Sequence, residues 1–295
     1  LEIAFVEGVS PRVAETVFQR LGQELRPGFS RPPSAQQQIV EHLEGYLLDQ
    51  ELDSGFRMEL LDAVSSASSE QAEDFSMDPV DTMTGRFRRG PIWQSETMQA
   101  YRLAAVDVLT TVVEESGDHP LKLRAAEELP SFVLAQKRYY GGQDEVFNRD
   151  ELDRIYEFAI EYVESEEDLD CLSALHRLVD YAEDGELGIE EQGHRLEDAL
   201  LSHDMYRLLL HMDPRGQDWE ESEEEMRAFI RDLDPAWEQQ FDAFVDVVEH
   251  SPETSFKRFF KLFGEEQPEA GVQLLDQSPA ALEEYQDRVV VGICA

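Results

Sequence analysis

The chain has 295 residues, of which 41% are hydrophobic, and carries 65 Asp and Glu against 25 Lys and Arg, for a formal net charge of -40. That balance argues against a nucleic-acid partner, because a phosphate backbone needs clustered cations, and equally against docking on an anionic membrane surface. The apolar share, with 16 Phe, is enough to build a core, so charge does not dictate disorder.

Lys122, Lys137, Lys257 and Lys261 are the only lysines. A dense carboxylate shell binds water and hydrated cations, and its self-repulsion is screened at molar salt, where the Debye length is about 3 Å. The composition therefore predicts a halophilic protein of a salt-accumulating, cytoplasmic compartment. Cys171 and Cys294 are the only cysteines, too few for a disulfide framework and consistent with a reducing cytosol. The first residues lack a basic, then apolar, leader pattern. No stretch approaches the ~20 apolar residues that span a bilayer.

Helix signals run through the chain. Ser10-Pro11 supplies a capping oxygen and a proline at the first helical position, opening an N-terminal helical unit over 1–64. The segment 65–94 reads as a linker or long loop with at most a short helical piece. It holds Ser65-Ser66-Ala67-Ser68-Ser69, then Asp78-Pro79, Gly85 and Gly90. From 95 to 295 the pattern predicts a helical array, interrupted at Gly141-Gly142. Asn148 and Glu151 have the spacing of a capping box. Behind them Leu152, Ile155, Tyr156, Ala159 and Val163 form a helical stripe. Leu201, Met205, Leu208, Leu209 and Met212 form another, and Trp237, Phe241, Phe244, Val245 and Val248 a third. Asp234-Pro235, Ser251-Pro252 and Ser278-Pro279 repeat the Ser/Asp-Pro start. The apolar tail Val289–Ala295 predicts either docking into the core or a chain cut from a longer one. The expected fold is all-α: antiparallel helix pairs in a HEAT/armadillo-like array or a compact bundle. Pair starts near Asn148, Gly188, Asp234 and Ser278 recur at roughly 40 to 45 residues, the period of such arrays.

Four features bear on chemistry. His176, then His203-Asp204, then Asp246 follow the order His, His-Asp, Asp. This resembles the metal-dependent HD phosphohydrolases, in which such residues hold divalent metal that activates a water for attack on phosphorus. Here Met205-Tyr206 follows the His-Asp where those enzymes carry an apolar residue and Gly. On a continuous helix His203 also faces away from the Leu201 stripe, so His176, His203 and Asp204 are not expected to converge. Glu191 and His194 share a helical face, but the second Glu-x-x-His of a di-iron bundle is missing. Phe256, Phe259, Phe260 and Phe263 share one helix face and Lys257, Arg258 and Lys261 another; this reads as a core helix whose cations pair with neighbouring carboxylates, or as a docking helix. Arg86-Phe87-Arg88-Arg89 is suited to gripping a phosphate or carboxylate, or to neutralising the protein's own acid.

There is no Gly-rich phosphate loop, Cys-x-x-Cys pair, Gly-x-Ser-x-Gly elbow or His-Glu-x-x-His. The sequence therefore predicts a non-catalytic helical interaction or scaffold module that binds protein and carries no cofactor or resident metal. It would stand alone or belong to a larger regulatory or NTPase-type protein. A metal-dependent phosphohydrolase using His176, His203, Asp204 and Asp246 is the alternative.

Overall fold

The structure, a computed structural model, describes residues 11–28, 31–69, 71–77, 85–91, 95–140, 148–166, 168–182, 187–212, 219–233, 237–251, 255–277 and 279–295. The fold is all-α, with helices packed on helices. Two compact units are present: Leu1–Ser165 with Ala174–Glu197, and Glu166–Ser173 with Asp198–Ala295.

The first unit contains α1 (Pro11–Leu25), α2 (Pro33–Leu48), α3 (Ser54–Ser65), α4 (Glu96–Glu115), α5 (His119–Tyr140) and α6 (Arg149–Ser165). Consecutive helices touch from α1 through α5, and helices two apart stack: α1 on α3, α2 on α4, α3 on α5, α4 on α6. The apolar spacing explains this. In α2, Val40, Leu43 and Leu47 are fully buried at the i, i+3, i+7 positions of one face. In α4, flanked on several sides, Tyr101, Ala105, Val106, Leu109, Val112 and Val113 are all fully buried. The Tyr101 hydroxyl donates to the Leu25 carbonyl and so ties α4 to the end of α1. In α6, Leu152, Ile155, Tyr156, Ala159 and Val163 are fully buried, as their spacing requires.

The boundary expected at 65–94 falls inside this unit, because α2 and α3 bury their apolar faces against α4 and α5. Nor is the segment only loop. A 3-10 turn (Ser66–Ser68) follows α3, and β1 (Gln71–Met77) pairs antiparallel with β2 (Gly85–Pro91). Neither strand alternates apolar with polar residues, so period-2 patterning gives no signal. The pairing is a matter of register: the Phe75 backbone lies across from Phe87, Asp74 from Arg88 and Glu73 from Arg89. The break expected at Gly141-Gly142 lies outside the described residues.

Two helices span the remainder of the first unit and the start of the second: α7 (Leu169–Ala182) and α8 (Glu190–Leu201). Gly188, at φ 63°, makes the left-handed turn before α8, and Arg149 donates to its carbonyl at 3.1 Å. A Cβ on Gly193 would collide with the Ala182 side chain, so this glycine lets α8 approach α7 closely.

The second unit contains α9 (Asp204–Met212), α10 (Trp219–Asp232), α11 (Trp237–His250), α12 (Lys257–Glu266), α13 (Pro268–Gln277), a 3-10 segment (Ala280–Tyr285) and α14 (Gln286–Ile293). Here α9 packs on α10 and α11, α10 on α12, and α12 on α13 and α14. Its core is aromatic. Phe256, Phe259, Phe260 and Phe263 are fully buried, and Phe244 of α11 meets Phe259, Phe260 and Phe263 edge-on at 5.3, 6.1 and 5.6 Å. Val247 is buried beside Phe244, whereas Val245 and Val248 are half-buried.

Two expected elements differ. The stripe Leu201–Met212 is not one helix: α8 ends in a turn at Ser202, whose hydroxyl donates to the Ala199 carbonyl at 2.7 Å, and α9 starts afresh. The buried face of α9 is Tyr206, Leu209 and Met212, while Leu201 is 36% exposed. The helix expected from Ser251-Pro252 begins instead at Lys257. The apolar tail is α14, which buries Val289 and Gly292 and leaves Val290 and Val291 exposed.

Candidate functional site

Local sequence builds an open groove of about 310 Å³ at the end of α3. Asp53 starts this helix, its carboxylate accepting from the Gly55 and Phe56 N–H groups at 2.9 and 3.4 Å. The serine run stops it. Ser65 donates its hydroxyl proton to the Leu61 carbonyl (3.0 Å), Ser66 to Asp62 (3.2 Å) and Ser68 to Ser65 (2.8 Å). Short hydroxyl side chains compete with the backbone for hydrogen bonds, so a cluster of them tightens the last turn into the 3-10 form. These serines and Ser69 line one wall; Asp62 of α3, Arg26 beyond α1, and Arg124 and Glu128 of α5 line the rest.

Arg124 organises the charges. Its Nε and Nη2 each lie 3.1 Å from Asp62 Oδ1, Nη2 lies 2.8 Å from Glu128 Oε1, and Nη1 lies 3.7 Å from Glu127. Burial pushes the Glu128 carboxyl above the usual carboxylate range. The nearby Asp62 and Glu127 push the same way, against Arg124 and Arg177.

The turn below the groove is anchored from inside. Arg102 of α4 donates through Nη1 to the Ala67 carbonyl at 3.1 Å, and through Nε and Nη2 to Glu151 at 2.9 and 2.8 Å. Glu151 is fully buried and Arg102 is 5% exposed, with its guanidinium 5.3 Å over the Phe132 ring. Asn148 Nδ2 donates to Glu151 at 2.9 Å, and Asn148 Oδ1 accepts from the Glu151 N–H at 3.4 Å. The capping spacing is therefore real on the Asn side. The Glu side chain, however, bonds the Asn amide and Arg102, while the Asn148 N–H donates to Gln136 Oε1 at 3.0 Å.

The residues singled out from sequence lie elsewhere. His176 is in the first unit, half-buried; His203, Asp204 and Asp246 are in the second. His203 sits ahead of α9, its carbonyl accepting from the Arg207 N–H at 2.9 Å, so the phase expected on a continuous helix does not apply to it. Asp204 is exposed and bonded to Arg207 at 2.7 Å, and Asp246 is exposed. Among the described residues no three His, Cys, Asp or Glu side chains gather as a metal site. Glu191 and His194 are exposed. Arg86, Phe87, Arg88 and Arg89 lie on β2. Arg258 pairs with Glu223 at 2.7 Å and Lys261 with Glu265 at 3.2 Å, leaving the Phe256–Phe263 face wholly in the core. The groove was overlooked because its serines read as linker punctuation; serines at i−4 to backbone carbonyls are the signal that marks a helix end instead. Comparison of the chain with protein-family models, curated proteins and solved structures gave no match.

Proposed function

We propose that the protein is a non-catalytic helical interaction module of a high-salt cytosol, a HEAT/armadillo-like array that holds a partner protein along one layer of helices. The observation that carries this reading is the stacking of alternate helices, α1–α3–α5 and α2–α4–α6, which is the neighbour scheme of stacked helix pairs. In such arrays one layer forms the partner-facing surface, and the helices that line the groove, α3 and α5, both belong to the odd layer. Its side chains are held by their own backbone and by one another, which suits recognition more than chemistry.

The test places a photo-crosslinking side chain at Ser68 in the groove and, as a control, at the exposed Glu157 of α6, in the native high-salt cell. One protein joined through position 68 and not through 157, and then binding the purified chain in a reconstituted mixture, is the expected result. Absence of any specific adduct, together with metal-dependent hydrolysis of phosphoesters by the purified chain, would overturn it.

A further inference from the structure

The β1–β2 ribbon is a sheet with two open edges. Among the described residues β1 and β2 pair only with each other, and no helix packs along either strand. In an antiparallel pair every second residue turns its N–H and C=O away from the neighbouring strand. Each outer edge therefore presents a row of unpaired backbone donors and acceptors. A lone two-stranded ribbon is marginal in water, and a third strand stabilises it. The two edges differ in charge. β1 carries Glu73 and Asp74 and no cation, whereas β2 carries Arg86, Arg88 and Arg89 and no acid. Three arginines in a strand of seven residues are a local exception in a chain of 65 Asp and Glu against 25 Lys and Arg.

We infer that the outer edge of β2 receives an extended, acidic segment of the partner protein, which adds to the ribbon as a third strand. The ribbon itself shows which sequence suits β2. In the backbone register Asp74 lies across from Arg88 and Glu73 from Arg89, and opposite charges at paired positions favour pairing. A strand with a neighbour on each side has a paired position on each side, so the arginines of β2 are open to a second match from the free edge. Arg86 lies across from Ser76 and has no acid at its paired position in β1. At molar salt the Debye length is about 3 Å, so charges in direct contact, and not the net charge of the chain, select the strand. The same arginines turn away a second copy, because β2 laid on β2 sets arginine against arginine. β1 of a second copy laid on β2 leaves another β2 edge open, and that assembly does not close. This inference rests on the interaction-module reading and names the backbone edge and the chemistry by which the partner is held. Ser68, the crosslinking position of that reading, lies just ahead of β1.

The test adds a capped peptide of the β1 sequence, Gln71–Met77, to the folded chain at the salt concentration where it is stable. Beside it runs the same peptide carrying Glu73→Lys and Asp74→Lys. Hydrogen exchange of the β2 amides is read residue by residue by NMR, with sedimentation in parallel. The expected result is saturable binding of the acidic peptide, at least about tenfold weaker for the doubly substituted one, with new protection at alternate residues of β2. Arg86→Glu in the chain leaves the Asp74–Arg88 and Glu73–Arg89 positions unchanged and should weaken the acidic peptide several-fold. If that variant disturbs the ribbon, the two peptides on the parent chain give the same discrimination. Binding without new β2 protection would mean that the peptide exchanges with β1 instead of adding to β2, and would overturn the inference. So would new protection on β1 alone, equal binding of the two peptides, or no saturable binding. Self-association of the chain that the peptide reverses would also overturn it, by assigning the edge to a second copy. A partner crosslinked through position 68 with no strand added to β2 would defeat this inference and leave the module reading standing.

Discussion

At the scale of the residue, the most consequential interaction is the Arg102–Glu151 pair. Two charges with almost no solvent contact are tolerable only because each is satisfied: Glu151 by two guanidinium nitrogens and the Asn148 amide, Arg102 by Glu151, the Ala67 carbonyl and the Phe132 face. Removing one partner strands the other. Arg102→Met should destabilise the protein by about 3 to 5 kcal/mol in denaturant titrations, and adding Glu151→Leu to it should recover a good part of that loss. His211 provides a pH-dependent counterpart. Its ring stacks on Phe229 at 4.3 Å. Burial holds its pKa below the usual histidine value, and Arg207 adds to this, while Glu225 opposes it. The folded state thus binds the proton less well than the unfolded chain. The stability is fully present above the ordinary histidine pKa of about 6.5 and is lost as pH falls through and below it. His211→Gln should flatten that acid-side decline in urea melts compared between about pH 7 and pH 5, with the parent losing more.

At the scale of the element, α14 shows how a short apolar helix is held. Gly292 of α14 and Gly264 of α12 face each other so closely that a Cβ on Gly292 would meet the Lys261 carbonyl, and one on Gly264 the Val289 carbonyl. Both obstacles are backbone and cannot swing aside. Gly292→Ala should cost about 1 to 3 kcal/mol or more, and amide hydrogen exchange should accelerate first in α14. Protection of α14 unchanged from the parent would mean that the crossing is not what docks this helix. Between α10 and α12 ion pairs add to the buried apolar contact of Met226 and Ile230. Arg227 reaches Glu223, Glu265 and Glu266 at 3.0, 2.7 and 2.6 Å, and Arg258 adds a second bond to Glu223. The hydrogen bonds from Arg258 and Arg227 draw the Glu223 carboxyl below its usual range. Those from Arg227 and Lys261 do the same for Glu265, against its burial. What the pairs contribute is therefore present above the ordinary glutamate range and lost as pH falls below it.

At the scale of the whole molecule, 25 Lys and Arg stand against 65 Asp and Glu, and Arg124 and Arg227 are each shared among three carboxylates. A net charge of -40 repels itself across the surface. Thermal unfolding should be cooperative in molar KCl, with a midpoint that drops steeply, or vanishes, in dilute buffer, because only the concentrated salt screens at the spacing of neighbouring side chains. A midpoint that stays put from low to high salt in calorimetry would remove the halophilic reading.

The sequence by itself determined the helical class and the buried faces of α6 and α12. These follow from 3.6-residue spacing, which is a property of the chain read locally. Only the tertiary structure decided the rest. The β1–β2 ribbon depends on a register between segments that carry no alternation of their own. The break between α8 and α9 depends on a serine turn inside an apolar run that looks continuous. The groove depends on bringing Ser65–Ser69 next to Arg124 and Glu128, more than fifty positions away, and spacing along a chain cannot report a contact made across it.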